Sequence, residues 1–171
     1  ERSFSHLKDG YSKIEFSFPD LNGKQVSLAD EQFKNKVVII QIMGSWCPNC
    51  LDETKFLSQW FNEQKSNDVM IVGLDYEKIT DSLIAYKNIQ RLVDRYNVKY
   101  PILFAGSSNK ELAGKTLPML NRVFAFPTTL YINKDGTVRE VHTGFSGPAT
   151  GQDFEDFKVR FGRLVGEMVG M

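Results

Sequence analysis

The sequence predicts an α/β protein, a central mixed β-sheet flanked by helices with an added β-hairpin in front of it. Three observations carry that prediction. Short apolar runs at 37–42, 69–74 and 101–105 alternate with stretches of helical periodicity, the pattern of parallel strands joined by crossover helices. Alternating apolar and polar residues flank turn residues near both ends, at 14–28 and 129–142, which adds antiparallel pairing. At 171 residues the chain, 1–171, has the length of a single domain that can bury a core without cross-links.

In chain order, residues 1–10 are polar and weakly patterned, and are expected to be a loosely held terminus. Ile14, Phe16 and Phe18 alternate with polar residues, Asp20-Leu21-Asn22-Gly23 supplies turn chemistry, and Val26 and Leu28 resume the alternation, so 14–28 reads as a hairpin. A polar link at 29–36 carries Phe33 as its core plug. Val37 to Ile42 is rich in β-branched residues and reads as a buried strand. The helix that follows places Leu51, Thr54, Leu57, Trp60 and Phe61 on an inward face and ends near 65–67. Val69 to Leu74 is the next buried strand, with Asp75-Tyr76-Glu77 as its polar exit. Leu83, Tyr86, Leu92, Val93 and Tyr96 mark a second amphipathic helix, and 101–105 a further strand. Gly114 and Pro118 argue against a long helix in 106–122, which reads as one or two short helices with loops. Thr129 to Ile132 and Val138 to His142 pair across Asn133-Lys134-Asp135-Gly136. After Gly151, Phe154, Phe157, Phe161, Leu164, Val165 and Met168 form one face of a last helix, despite Gly162 and Gly166.

Composition removes several function classes. Lys plus Arg and Asp plus Glu are both 21, so no net basic charge recommends nucleic acid or an anionic membrane as a partner. The longest apolar run is far too short to span a bilayer, and any membrane attachment is expected only through an N-terminal anchor preceding Glu1.

The chemistry gathers where the first sheet strand ends, at Trp46-Cys47-Pro48-Asn49-Cys50, which holds both cysteines of the chain. Proline suits the first helical position, which leaves Cys47 at the cap. Unpaired N–H groups and the positive end of the helix dipole favour a thiolate there. Cys50 lies about one turn further along and can attack a mixed disulfide formed at Cys47. A structural zinc site is disfavoured, because it needs four ligands and neither His6 nor His142 has ligand spacing.

This segment resembles the Trp-Cys-x-x-Cys site of thioredoxin-fold thiol-disulfide oxidoreductases, and within the AhpC/TSA-redoxin superfamily the chain is most similar to the TlpA/ResA-like group. A second signature, Phe126-Pro127-Thr128-Thr129-Leu130-Tyr131-Ile132-Asn133-Lys134-Asp135-Gly136, resembles the group's cis-proline segment with its following strand and turn. The resemblance implies a thioredoxin fold, with Cys47 as nucleophile and Cys50 as resolving thiol. It implies that Pro127 is cis and that Trp46, Pro48, Phe126 and Pro127 form the surface on which an extended partner segment docks, where spacing alone also allows a trans proline starting a strand. It implies that Glu53 lies near the cysteines and tunes or relays protons; from the residues alone, Glu53 and Asp52 equally fit a role in complementing the helix N-terminus. Gln41 stands where thioredoxins proper carry a buried aspartate, which leaves Glu53 more to do. His142 is expected to pack or face solvent, and Asp75 to be a polar loop residue.

The implied function is exchange of a Cys47–Cys50 dithiol or disulfide with partner protein disulfides, in the direction of a reductant, with that disulfide as the redox group and no further cofactor. The resemblance places such a protein outside the cytoplasm, in a bacterial periplasm. There it would serve cell redox homeostasis or cytochrome c maturation, with apocytochrome c or a membrane electron donor as partners. Two other activities occur on this fold. A peroxidatic cysteine of the peroxiredoxin type needs a proline seven residues earlier, where Cys47 and Cys50 have Ile40 and Met43. A copper chaperone uses a wider cysteine spacing and a distal histidine.

Overall fold

The computed structural model describes residues 4–123 and 125–171. Its centre is a five-stranded sheet in the order β5-β4-β3-β6-β7. The strands are β3 (Val37–Met43), β4 (Val69–Glu77), β5 (Ile102–Ser107), β6 (Thr128–Ile132) and β7 (Val138–Thr143). β3, β4 and β5 are parallel, as crossover connections require, and β6 and β7 add antiparallel pairs. A separate two-stranded sheet, β1 (Ser17–Pro19) with β2 (Gln25–Ser27), forms the N-terminal hairpin. The mixed α/β class expected from the sequence is the one observed.

Helices α1 (Pro48–Glu63), α2 (Ser82–Tyr96) and α4 (Gln152–Val169) cover one face of the sheet, where Ile39, Leu57, Ile89, Tyr131, Phe157 and Phe161 share a core. The other face is closed by the hairpin, by Phe33 in a 3-10 turn at Glu31–Phe33, and by α3 (Lys110–Thr116), through Ile14, Phe16, Val26 and Ala113. β3 is buried at all seven positions because both faces are covered, which is why it reads as a continuous apolar run. Among the described residues no helix is long and apolar enough to cross a membrane.

Three segments differ from the sequence reading. Of the terminus expected to be loose, His6 N–H donates to Asn121 Oδ1 at 2.8 Å, Lys8 N–H donates to the Met119 carbonyl at 2.9 Å, and Leu7 bridges Leu120; residues 1–3 lie outside the described residues. The difficult stretch 106–122 holds one helix, α3, opened by Asn109, whose side chain accepts from Leu112 N–H. Asp75-Tyr76-Glu77 is no exit but the buried end of β4, since Asp75 and Tyr76 are 0% exposed and Glu77 is 2% exposed.

Candidate active site

β3 ends at Met43, and the loop that follows hands the chain to α1 at the edge where the parallel strands finish. Cys47 is the N-cap of α1, in extended conformation, and its sulfur accepts from Cys50 N–H at 3.3 Å. Pro48 opens the helix. Both cysteines are free thiols; Cys47 is 5% exposed and Cys50 is sealed at 0%. The S–H of Cys47 reaches the carbonyl of Phe126 at 3.5 Å, across the cis Phe126–Pro127 bond. The two motifs, 79 residues apart, therefore meet at one sulfur.

Their protons are held very differently. A hydrogen bond from the Cys50 thiol, helped by the Cys50 and Asn49 N–H groups and the Lys78 ammonium, outweighs burial and brings the Cys47 thiol down to about 7. Burial, with the proton given toward Cys47, pushes Cys50 far up. Cys47 is thus the cysteine of the pair that ionises near neutral pH, and Cys50 keeps its proton until something takes it.

Glu53 sits one turn after Cys50 on the same inward face of α1 and is 1% exposed. Burial raises its carboxyl to about 8, against the pull of the Thr129 hydroxyl and the Gln41 amide, and the Cys47 charge raises it further. Thr129 Oγ1 donates to the two carboxyl oxygens at 2.9 and 3.1 Å. Gln41 ties this group to the helix: its Nε2 donates to the Cys50 carbonyl at 3.1 Å, and its Oε1 accepts from the Thr54 hydroxyl at 3.0 Å.

Trp46 roofs the other side. Its indole N–H donates to the Tyr76 carbonyl at 2.9 Å, its ring meets Phe126 edge-on at 5.4 Å, and Lys78 Nζ lies 4.5 Å above it. A Cβ on Gly44 would collide with that indole and with the Tyr76 carbonyl, so glycine is required for the contact. Ser45 donates through N–H and Oγ to Glu77, which also accepts from Asn88 Nδ2 at 3.3 Å.

Of the residues singled out from sequence, Trp46, Cys47, Cys50, Phe126 and Pro127 come together, with Pro48 exposed at the rim and Glu53 buried behind Cys50. Thr129, Lys78, Ser45 and Glu77 were not singled out. Thr129 had a signal, a polar inward position beside the cis-proline; the other three are brought in by contacts distant in sequence. Among the described residues no group of three or more His, Cys, Asp or Glu side chains could hold a metal.

The redoxin family model matches residues 9–157. This chain belongs to the redoxin family. It is 30% identical over 151 residues to the thiol-disulfide oxidoreductase ResA of Bacillus thuringiensis subsp. konkukian, covering 88% of this chain and 77% of that relative. It is 29% identical over 138 residues to the ResA of Bacillus subtilis, covering 81% and 69%. Among solved structures it is similar to a thiol:disulfide interchange protein of the thioredoxin family from Chlorobium tepidum TLS, with TM-score 0.66, 21% identity, and coverage of 95% of this chain and 99% of that one. The fold is thioredoxin-like, and the chain is a ResA-type thiol-disulfide oxidoreductase.

Proposed function

We propose that this redoxin reduces disulfides in partner proteins, with Cys47 as nucleophile, Cys50 as resolving thiol and Glu53 as the acceptor of the Cys50 proton. One observation carries the reading: a cap cysteine brought down to about 7 stands beside a buried thiol pushed up, with a buried carboxyl raised to about 8 one turn further on. The Cys47 thiolate attacks one sulfur of the partner disulfide, and the partner's other sulfur leaves as a thiolate. Cys50 then gives its proton to the Glu53 carboxylate and attacks Cys47. The Cys47–Cys50 bond forms, the mixed disulfide breaks, and two electrons have passed to the partner.

The position of the nucleophile supports the direction. A cap thiol near 7 is thioredoxin-like, whereas strong oxidants hold theirs about three units lower and so stabilise the reduced state far more. Trp46, Pro48, Phe126 and Pro127 form the docking rim, where an extended segment can lie along the cis-proline backbone. The Cys47–Cys50 pair serves as the redox group without a further cofactor. The resemblance to the ResA-like group supports a setting outside the cytoplasm, apocytochrome c cysteines as partners, and a membrane-held donor that returns the dithiol.

Cys47→Ser is expected to abolish reduction of insulin disulfides, and Cys50→Ser to accumulate the mixed disulfide, read by non-reducing electrophoresis. Turnover by Cys47→Ser at the wild-type rate overturns the assignment. A reduction potential near the roughly −120 mV of strong oxidants overturns the direction.

A further inference from the structure

With its carboxyl raised to about 8, Glu53 is mostly protonated at pH 7 and must release that proton before it can take the one on Cys50. The carboxyl is 1% exposed, and its neighbours Thr129, Gln41 and Thr54 are each 0% exposed. The carboxyl is shut off from bulk solvent by these side chains, so the route proposed here runs along them. β pairing lays it out. Gln41 on β3 pairs with Thr129 on β6, and Thr129 pairs with His142 on β7. These residues share the sheet face that α1 and α4 cover, because Leu130 and Val141, the next pair along, pack on the opposite face. Residues directly opposite in an antiparallel pair have Cβ atoms about 5 Å apart, so the His142 ring stands beside Thr129, whose hydroxyl is given to Glu53, and a single water between the two side chains would join them.

Beyond His142 the row opens. A cavity of about 190 Å³ lies between β7 and α4, and His142 lines it with Tyr131, Glu140, Arg160, Arg163 and Glu167. We propose that His142, with this cavity, is the port through which Glu53 exchanges its proton with solvent. The inference rests on reading Glu53 as the acceptor of the Cys50 proton.

The step moves protons and no electrons. Protonated Glu53 gives its proton to Thr129 Oγ as the Thr129 O–H passes its own, through a bridging water, to a His142 ring nitrogen, and the imidazolium releases one to water in the cavity. Burial and the Arg160 guanidinium hold the ring below its ordinary range against the opposing Glu140 carboxylate, so at neutral pH it is uncharged and can accept. The Tyr131 hydroxyl also borders the cavity, but burial and the Glu53 charge push it up, out of range for this transfer. His142 acts on the thiols only through Glu53.

The test is single-turnover release of thionitrobenzoate from its mixed disulfide with Cys47, which reports the attack of Cys50. At pH 7 most Glu53 is protonated and must first lose a proton; at pH 9 it is already ionised. His142→Gly is expected to slow release about tenfold at pH 7 and little at pH 9, with millimolar imidazole restoring the pH 7 rate. His142→Gln, which keeps volume and polarity, should show the same pH-dependent defect without rescue. A defect equal at both pH values and indifferent to imidazole overturns the port. So does wild-type speed in both His142 variants while Glu53→Gln is slow, which leaves the Glu53 reading standing. Wild-type speed in Glu53→Gln as well overturns both.

Discussion

Buried carboxyls stand on either side of the loop that delivers Cys47, and they are treated in opposite ways. Glu53, on the β6 side, is met by the Thr129 hydroxyl at 2.9 Å and by the Gln41 amide. Asp75, on the α2 side, has no hydrogen-bond partner for either oxygen among the described residues. Its neighbour Glu77 takes the donors that region offers, Ser45 N–H, Ser45 Oγ and Asn88 Nδ2. Burial raises Asp75 well above the carboxylate range and the Glu77 charge adds to it, while the Ser45 N–H, committed to Glu77, only pulls weakly the other way. Desolvation leads on both sides, so burial alone does not make an acid functional. What separates them is the company: Glu53 exchanges charge effects with the two thiols, whereas Asp75 faces Glu77, which alone of the pair grips the backbone that leads to them.

The largest expected effect is on stability. Glu53 has an ordinary value of 4.5 and is raised to about 8 by burial, so the folded protein keeps a proton that the unfolded chain gives up. Across that window the folded state binds more protons than the unfolded state, so stability falls as pH rises from about 4.5 to about 8 and then levels off. A neutral glutamine keeps an acceptor for Thr129 and has no charge to desolvate. Glu53→Gln should therefore match wild type near pH 4 and exceed it by roughly 3 to 5 kcal/mol at pH 8, read by urea denaturation of the reduced protein. A gain at pH 8 joined to slow resolution by Cys50 marks an acid retained for chemistry at the expense of stability. Parallel stability curves across this range defeat that view.

How far each side is legible in the sequence follows the same division. The strand runs, the amphipathic faces of α1, α2 and α4 and the cap position of Cys47 are local patterns, and local pattern finds them. Glu53 is one turn from Cys50, yet its spacing fits a helix-dipole role equally well, and only resemblance tipped the reading. Asp75-Tyr76-Glu77 looks like a strand's exit because two of its letters are acidic. The groups that meet it, Ser45 and Asn88 of α2 at Glu77 and Thr116 at Tyr76, lie elsewhere along the chain, and none of them marks the strand from nearby. The row Gln41–Thr129–His142 depends on the register of three strands spread over more than a hundred residues, which no window of sequence contains.

A smaller effect is expected from the group that satisfies Glu53. The Thr129 hydroxyl lowers the carboxyl against the pull of burial, so removing it lets burial act unopposed on that side. Thr129→Val keeps the shape of the buried position, where Thr129 is 0% exposed. A hydrogen bond to a charged group contributes about 1.5 kcal/mol or more, close to one unit of carboxyl titration. The pH profile of resolution by Cys50 should therefore move up by about one unit, with the rate falling about tenfold at pH 7 and recovering at high pH. An unshifted profile means that the carboxyl is tuned by something other than this hydroxyl.

The smallest effect on the thiols is expected across the loop, at Asp75. Its ordinary value is 3.8 and its folded value is higher, so its contribution to stability is fully present at low pH and is lost as pH rises toward the raised value. Asp75→Asn removes that decline, and its amide can donate to Glu77, turning a repulsion into a hydrogen bond. The variant should gain stability above the ordinary carboxylate range and none below it. Its thiols should hardly notice: the causes that bring Cys47 to about 7 lie in Cys50, Asn49 and Lys78, all outside the Asp75–Glu77 pair. Alkylation of Cys47 followed against pH should keep its midpoint, and resolution by Cys50 should stay within about twofold of wild type, because Asp75 is not among the groups that shift either thiol. A midpoint moved by a full unit would join the two acid sites into one electrostatic unit and erase the contrast between them.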